Sequence, residues 1–237
     1  MNMTGKDPTW LFDEFAHAGD EHLDPAYVAT YDRKAATDPT EDVALLRNLG
    51  LGAGSTLVDL GAGTGTFTLA ASPFCRRVVA VDVSTAMLTL LRAKLEHLGS
   101  ANVSCVRAGF LTYQHQPGTV DVVYSRNALH HLPDFWKAIA LERIAAMLRP
   151  GGILLLRDLV FSFALGDAAS IVEAWLTAAP PKGDEGWTRT ELETHLREEY
   201  STFSWLLESM LEHSGYEISN VSHRPSKVFS AYTTVRR

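Results

Sequence analysis

The sequence predicts an α/β protein whose doubly wound sheet has seven strands, mostly parallel, with an antiparallel hairpin at one edge. Short apolar runs alternate with longer helical patterns from about residue 40 onward, which is typical of βαβ units around a parallel sheet. The runs are continuously apolar, as expected of strands buried on both faces. The chain has 237 residues, of which 46% are hydrophobic, so it can bury a full core without disulfides or a structural metal.

Seven strands are predicted in order along the chain. The first five are 56–60, 77–82, 103–107, 120–124 and 153–157. The last two, near 217–224 and 227–235, are split by Pro225 and Ser226, which predicts a hairpin.

Helical patterns connect these strands. Ser84 is a good N-cap, apolar residues follow it at helical spacing, and Gly99 ends the segment. The sequence Arg-Pro-Gly-Gly at 149–152 ends a helix that starts at Asp134 and returns the chain to the fifth strand. Two further helices are predicted at 40–49 and 201–213.

Composition disfavours several kinds of partner. Lys and Arg total 21 against 28 Asp and Glu, a net charge of -7 with no basic run, so neither nucleic acid nor an anionic membrane is an expected partner. The chain has no export signal and no stretch long enough to span a bilayer. Cys75 and Cys105 stand apart, and no metal-ligand spacing is convincing. We expect a cytoplasmic protein without a metal, of undetermined oligomeric state.

A glycine-rich loop follows the first predicted strand. Gly61, Gly63 and Gly65 let the backbone turn tightly and approach a ligand, while the next helix presents unpaired N–H groups. A dinucleotide site would have a further glycine where Thr66 stands, and the Gly-Lys-Ser/Thr of a phosphate-binding P-loop is missing. Asp82 ends the second strand, where a carboxylate can accept hydrogen bonds from both ribose hydroxyls. Loop and acid together predict an adenosine-like ligand.

Four segments carry a resemblance to a known family. They are VDLGAGTG at 58–65, VAVD at 79–82, DVVYSRNALHHLPD at 121–134 and LRPGGILLL at 148–156. In this order and spacing, they make residues 40–160 resemble the class I S-adenosylmethionine-dependent methyltransferases of the small-molecule type, which have a Rossmann-like fold. The resemblance implies S-adenosyl-L-methionine as cofactor, S-adenosyl-L-homocysteine as its product, and a small-molecule acceptor methylated on oxygen, nitrogen or carbon.

The resemblance also implies which residues bind the cofactor. Asp59 and the glycine loop would hold the methionine part and Asp82 the ribose. Relatives often carry an Asp after the third strand that binds adenine; Gly109 stands here, so we expect adenine recognition to depend on the Phe110 backbone and apolar packing. The full expected set is Tyr27, Tyr31, Arg33, Asp59, Gly61, Gly63, Gly65, Asp82, Val83, Met87, Gly109, Phe110, Ser125 and Asn127.

The segment after the fourth strand supplies the candidate catalytic residues, His130 and His131. They follow the carboxyl end of a strand, where doubly wound folds bind ligands. Methyl transfer needs an aligned nucleophile, exclusion of water and a group that takes a proton, which imidazole can do near neutral pH. Alternatively, these histidines only fix the loop or contact the cofactor. His17, His22 and Asp158 are weaker candidates to face the pocket.

We expect a single methyltransferase domain with four consecutive parts. They are an N-terminal cap segment (1–39), a cofactor-binding core (40–160), a lid insertion (158–200) and a C-terminal helix with the hairpin (201–237). The insertion is long for a connection, and such long segments are usually lids or binding elements. We therefore expect helical lid segments over the substrate.

Three alternative functions remain open. An NAD(P)-dependent oxidoreductase would share the fold and the ribose acid, but would have to tolerate Thr66. A non-methylating protein that binds S-adenosylmethionine would keep the ligand and form no S-adenosylhomocysteine. An RNA or protein methyltransferase is disfavoured by the acidic charge balance.

Overall fold

The computed structural model describes residues 8–17, 24–183 and 186–237. Its helices are α1 (Pro25–Ala35), α2 (Thr40–Asn48), α3 (Thr66–Ala71), α4 (Thr85–Leu98), α5 (Asp134–Met147), α6 (Ala168–Thr177), α7 (Arg189–Glu198) and α8 (Ser204–His213). Its strands are β1 (Thr56–Leu60), β2 (Arg77–Asp82), β3 (Val103–Arg107), β4 (Val120–Arg126), β5 (Leu148–Asp158), β6 (Val160–Phe161), β7 (Thr202–Phe203), β8 (Tyr216–His223) and β9 (Ser230–Arg236).

Seven strands form one sheet in the order β3-β2-β1-β4-β5-β9-β8. Strands β1 to β5 are parallel, and β9 runs antiparallel to both β5 and β8. This confirms the predicted seven-stranded, doubly wound sheet with its hairpin. The strand order reverses between β1 and β4, which is the point at which such sheets bind ligands.

Helices cover both faces of the sheet, because successive side chains of a strand point to opposite faces. Leu57 of β1 packs in the core that includes side chains of α2 and α3. Its neighbour Val58 packs in the core that includes side chains of α5 and α8. Both faces of the central strands are therefore buried, as their continuous apolar runs predict.

Local signals set most element boundaries. The Ser84 side chain accepts a hydrogen bond from the Met87 N–H at 3.1 Å, and Gly99 ends α4 at φ 65°. Helix α1 was not predicted; Asp24 caps it by accepting from the Ala26 N–H at 2.8 Å. The expected helix at 201–213 begins only at Ser204, because 202–203 pairs with β6 as strand β7.

Among the described residues, no helix combines the length and the apolar character needed to cross a bilayer.

Candidate active site

The glycine-rich loop packs tightly against its neighbours at the carboxyl end of β1. Gly61 has φ 76°, and a Cβ there would lie 2.3 Å from the Ala128 Cβ. Gly65 has φ 86°, and a Cβ there would lie 2.1 Å from Cδ1 of Leu91 in α4. Side chains are excluded at both positions by left-handed backbone and by contact. At Gly63, in contrast, a Cβ would meet nothing within 4 Å, so the backbone there is open to a ligand.

Asp82 connects the end of β2 to this loop. Its Oδ2 accepts a hydrogen bond from the Gly63 N–H and its Oδ1 accepts from the Ser84 N–H, each at 2.8 Å. The carboxylate is thereby fixed beside a cavity that Gly61 and Gly63 also line.

Asp59 lies buried beneath the loop. Its Oδ2 accepts a hydrogen bond from the Thr68 hydroxyl at 2.5 Å. Burial raises the pKa of Asp59 to about 7, against the lowering effect of this hydrogen bond and with a further upward contribution from the charge of Asp82. The group is therefore partly protonated near neutral pH.

Two cavities meet at the segment that follows β4. We name the first the loop cavity; it lies between the glycine-rich loop, Asp82 and the segment after β3. We name the second the lid cavity; it lies between the segment after β4 and residues 159–199. Tyr31, Asn127 and His131 line both. Asn127 adopts φ 49° and its N–H donates to the Arg157 carbonyl at 2.8 Å, which turns the chain at this junction.

Most of the expected cofactor-binding residues line the loop cavity or the recess that adjoins it beneath the glycine-rich loop. They are Tyr31, Asp59, Gly61, Gly63, Asp82, Val83, Met87, Gly109, Phe110 and Asn127. The fold thus brings together residues from five separate segments at one edge of the sheet.

Four expected residues do not line these cavities. Arg33 is exposed, because Tyr27, Tyr31 and Lys34 share the other side of α1 at helical spacing. Tyr27 packs beside Tyr31, with ring centroids 6.3 Å apart. Arg126, in contrast, lines both the loop cavity and the recess.

The two other residues belong to the packed interior. Gly65 is the N-cap of α3 and contacts Leu91. Ser125 is fully buried, pairs in register with Leu60 and Leu156 on the neighbouring strands, and its Oγ has no hydrogen-bond partner among the described residues. Because strand side chains alternate, Ser125 belongs to the sheet interior and does not line the cavity edge.

An acid that sequence reasoning missed lies at the β3 end of the loop cavity. The Glu14 carboxylate accepts hydrogen bonds from the N–H groups of Leu111, at 2.9 Å, and Thr112, at 3.0 Å. A Cβ on Gly109 would lie 2.4 Å from its Oε2. Burial raises the pKa of Glu14, and these hydrogen bonds oppose the rise. The carboxylate occupies the space that a side chain at 109 would fill, so this end of the cavity has an acid after all.

His130 is buried between two carboxylates. Its Nδ1 hydrogen-bonds to Asp158, and its Nε2 lies 2.9 Å from Oε2 of Glu199. Burial lowers the pKa of His130, but the two carboxylates outweigh it and raise the pKa to about 9. The two carboxylates favour a proton on this ring as long as no other cation lies between them, which makes His130 a poor proton acceptor.

His131 lies where the two cavities join, and its Nδ1 is 3.7 Å from Oε2 of Glu199. His195 and Glu199, which sequence reasoning missed, bring a third imidazole from α7 and a carboxylate from the residue after it. Their spacing of four at a helix end was a signal that could have found them. His17 lines the loop cavity, whereas His22 lies outside the described residues.

Residues 57–152 contain the glycine-rich loop, Asp82 and the paired histidines, and they match a family model described as a methyltransferase domain. This part of the chain therefore resembles a methyltransferase domain. Over 212 residues, the chain is 28% identical to an uncharacterized methyltransferase of Bacillus mycoides, a match that covers 88% of this chain and 89% of that one.

Solved structures share the fold of this chain. It is similar to a SAM-dependent methyltransferase from Aquifex aeolicus, with a TM-score of 0.62 and 19% identity over 90% of this chain and 99% of that chain. It is also similar to phosphoethanolamine N-methyltransferase 2 of Haemonchus contortus, solved with phosphomonomethylethanolamine and S-adenosylhomocysteine. That match has a TM-score of 0.72 and 16% identity, and it covers 95% of this chain and 60% of that chain.

Proposed function

We propose that this protein transfers the methyl group of S-adenosylmethionine to a small molecule held in the lid cavity, and releases S-adenosylhomocysteine. The observation that carries the proposal is the junction of the two cavities at Tyr31, Asn127 and His131. A donor in the loop cavity and an acceptor in the lid cavity would meet there. Bringing two reactants together in this way supplies much of the catalysis that a displacement reaction needs.

The groups around the loop cavity fit S-adenosylmethionine. Asp82 offers a fixed carboxylate for ribose hydroxyls, and Val83, Met87 and Phe110 offer apolar contacts for a base. Arg126 offers a cation for the methionine carboxylate at the adjoining recess. When bound, the cofactor supplies an electrophilic methyl group on a positively charged sulfur.

Glu14 supplies the acid for the adenine end in this proposal. Its carboxylate stands beside Gly109 and Phe110, in the space where the family often places an Asp side chain. The described part of the N-terminal cap segment then both covers the cofactor and takes part in recognising it.

His131 is the better of the two histidine candidates for taking a proton from the acceptor. It lines both cavities, whereas His130 lines only the lid cavity of the two and is held by Asp158 and Glu199. We assign His130 the role of positioning His131, which packs against it with ring centroids 4.4 Å apart.

The lid insertion shapes the acceptor site. Trp175, Trp187 and Phe229 line the lid cavity together with polar groups from α7, which fits a partly apolar small molecule. An ion pair between Lys34 of α1 and Glu191 of α7 joins the cap segment to the lid. Both covering parts would exclude water from the reaction.

The test uses S-adenosylmethionine with an isotope-labelled methyl group and extracts of small molecules, analysed by mass spectrometry. We expect one extract compound to gain the label while S-adenosylhomocysteine accumulates, and His131→Ala to slow this by about a hundredfold or more while cofactor affinity changes little. Binding of the cofactor without labelling of any compound would favour the non-methylating alternative. Binding of NADH in its place would favour the oxidoreductase.

A further inference from the structure

Three side chains converge on one point at the inner wall of the lid cavity. The Nε2 of His130, the Nδ1 of His195 and the Oε2 of Glu199 all lie within 4.8 Å of one another. Glu199 Oε2 is 2.9 Å from the first nitrogen and 2.7 Å from the second. We propose that these three atoms bind a divalent transition-metal ion.

The contacts of the two imidazole rings support this assignment. A histidine that binds a metal through one ring nitrogen usually hydrogen-bonds through the other, which fixes the orientation of the ring. His130 does so through Nδ1 to the buried carboxylate of Asp158, and His195 through Nε2 to the Ser201 hydroxyl at 2.7 Å. In both rings the nitrogen left over is the one that faces Glu199.

Asp158 is itself held in place. Its carboxylate accepts hydrogen bonds from the N–H groups of His130, at 3.1 Å, and Leu159, at 2.8 Å. Glu199 Oε2, in contrast, is buried and has no hydrogen-bond partner of acceptable geometry among the described residues, although two ring nitrogens are close. A bound cation would satisfy this oxygen, which the ring N–H groups do not reach at a suitable angle.

The donor set indicates the kind of ion. Two imidazole nitrogens and one carboxylate oxygen suit Zn²⁺ or Fe²⁺, and such three-ligand sites keep open positions for water or substrate. Mg²⁺ and Ca²⁺ prefer all-oxygen sets. The open side here faces the lid cavity, which all three residues line together with Trp175 and Trp187.

A metal ion at this site has a consequence for catalysis. That consequence rests on the proposed function, whereas metal binding itself does not. An acceptor hydroxyl that coordinates the ion would become more acidic. Its O–H bond would break with the proton passing to His131 and the electron pair staying on the oxygen, which the ion holds.

The experiment measures metal binding directly on the full chain without an affinity tag. The protein is stripped with a chelator, dialysed, and titrated with Zn²⁺ against a chromogenic chelator; Co²⁺ absorbance gives a second measurement. We expect one ion per chain, with affinity lowered at least about a hundredfold in His195→Ala and Glu199→Gln, and about tenfold to a hundredfold in Asp158→Asn. The matched control is His97→Ala, an exposed histidine of α4, which should bind like the wild type.

Two results would overturn the site: wild-type protein that retains no Zn²⁺ or Co²⁺, or His195→Ala that retains either ion as tightly as wild type. Circular dichroism checks the fold of each variant, and the wild-type stoichiometry decides the question even where a variant does not fold. S-adenosylmethionine binding is measured on the same stripped protein by calorimetry. Loss of that binding with metal binding intact counts against the proposed function alone.

Discussion

At the scale of single residues, Glu14 and Gly109 act as one unit although they are far apart in the chain. The carboxylate of the first occupies the space beside the second and pairs with backbone N–H groups that would otherwise be buried without partners. A carboxylate can occupy this space from position 14 or from position 109. The two positions are too close for both to carry one.

This arrangement predicts a compensation. Glu14→Ala should weaken S-adenosylmethionine binding by about 1.5–3 kcal/mol, the usual cost of losing hydrogen bonds to a charged group. Gly109→Asp in that background should restore much of the affinity, whereas Gly109→Asp alone should reduce it because the new side chain meets Glu14. Calorimetry of the four proteins in this cycle measures the coupling.

The control for that cycle is Gly166→Asp, at an exposed position where a Cβ meets nothing within 4 Å. It should neither weaken binding nor rescue Glu14→Ala. Failure of Gly109→Asp to recover affinity in the Glu14→Ala background would contradict the view that the acid can stand at either position.

Asp59 predicts a pH dependence of stability. Its pKa is raised to about 7 by burial, from about 3.9 in an unfolded chain, so the folded state binds a proton that the unfolded state has lost. The contribution of Asp59 to the free energy of unfolding is full below about pH 4 and is lost as pH rises through 7. A pKa difference of about one corresponds to about 1.4 kcal/mol, so the loss amounts to a few kcal/mol.

The variant Asp59→Asn keeps an acceptor for Thr68 and removes the titration. We expect its free energy of unfolding in urea to fall less than that of wild type between about pH 4.5 and about pH 7.5. Asp38→Asn, at an exposed position, is the control. Parallel pH curves for wild type and Asp59→Asn would contradict the raised pKa.

At the scale of elements, α1 joins the lid to the sheet core through two lysines. Lys34, which is buried, pairs with Glu191 of α7, and its amine also lies 5.8 Å from the ring centre of Trp187 in the lid cavity. On α4, Lys94 pairs with Asp32 of α1. The first pair reaches the lid and the second does not.

Loss of the first pair should therefore loosen the lid selectively. Lys34→Met leaves Glu191 without its cation, and we expect a local loss of about 1–2 kcal/mol, which corresponds to about 5–30-fold faster opening. Hydrogen exchange of residues 189–198 measures it. Lys94→Met is the matched control and should leave exchange in α7 unchanged; equal effects of both variants would mean that the lid is not held by this pair.

At the scale of the whole molecule, the loop cavity is built from the cap segment, the glycine-rich loop, the end of β2 and the segments after β3 and β4. A ligand that binds all of these at once binds only the folded state. It should stabilise the entire domain by mass action.

S-adenosylmethionine at about 100 times its Kd should add about 2.7 kcal/mol of stability. For a chain of this size, this corresponds to a rise in Tm of about 5–11 °C, which thermal denaturation measures. Asp82→Ala, which loses the ribose acid, should show a clearly smaller rise at the same concentration, and NAD⁺ should give none. An equal rise with NAD⁺ would contradict the choice of cofactor.

Local sequence patterns were sufficient to predict the seven strands of the sheet, its hairpin edge and the place of the glycine-rich loop. These depend on short-range signals: continuous apolar runs, the cap at Ser84, and glycines 61 and 65 at positions of positive φ. The same signals located the acid at Asp82, which ends β2, and the paired histidines, which follow β4, because ligands bind at the carboxyl ends of such strands.

The side chains that complete the candidate site from distant segments could be identified only in the folded chain. Glu14 reaches the space beside Gly109 from the cap segment, and His195 and Glu199 reach His130 from the lid. Periodicity shows which residues of one segment share a face. It therefore excludes Arg33 from the cofactor-binding residues only once helix α1 is known. Periodicity does not show which segment packs over which, because that depends on contacts between elements far apart in the sequence.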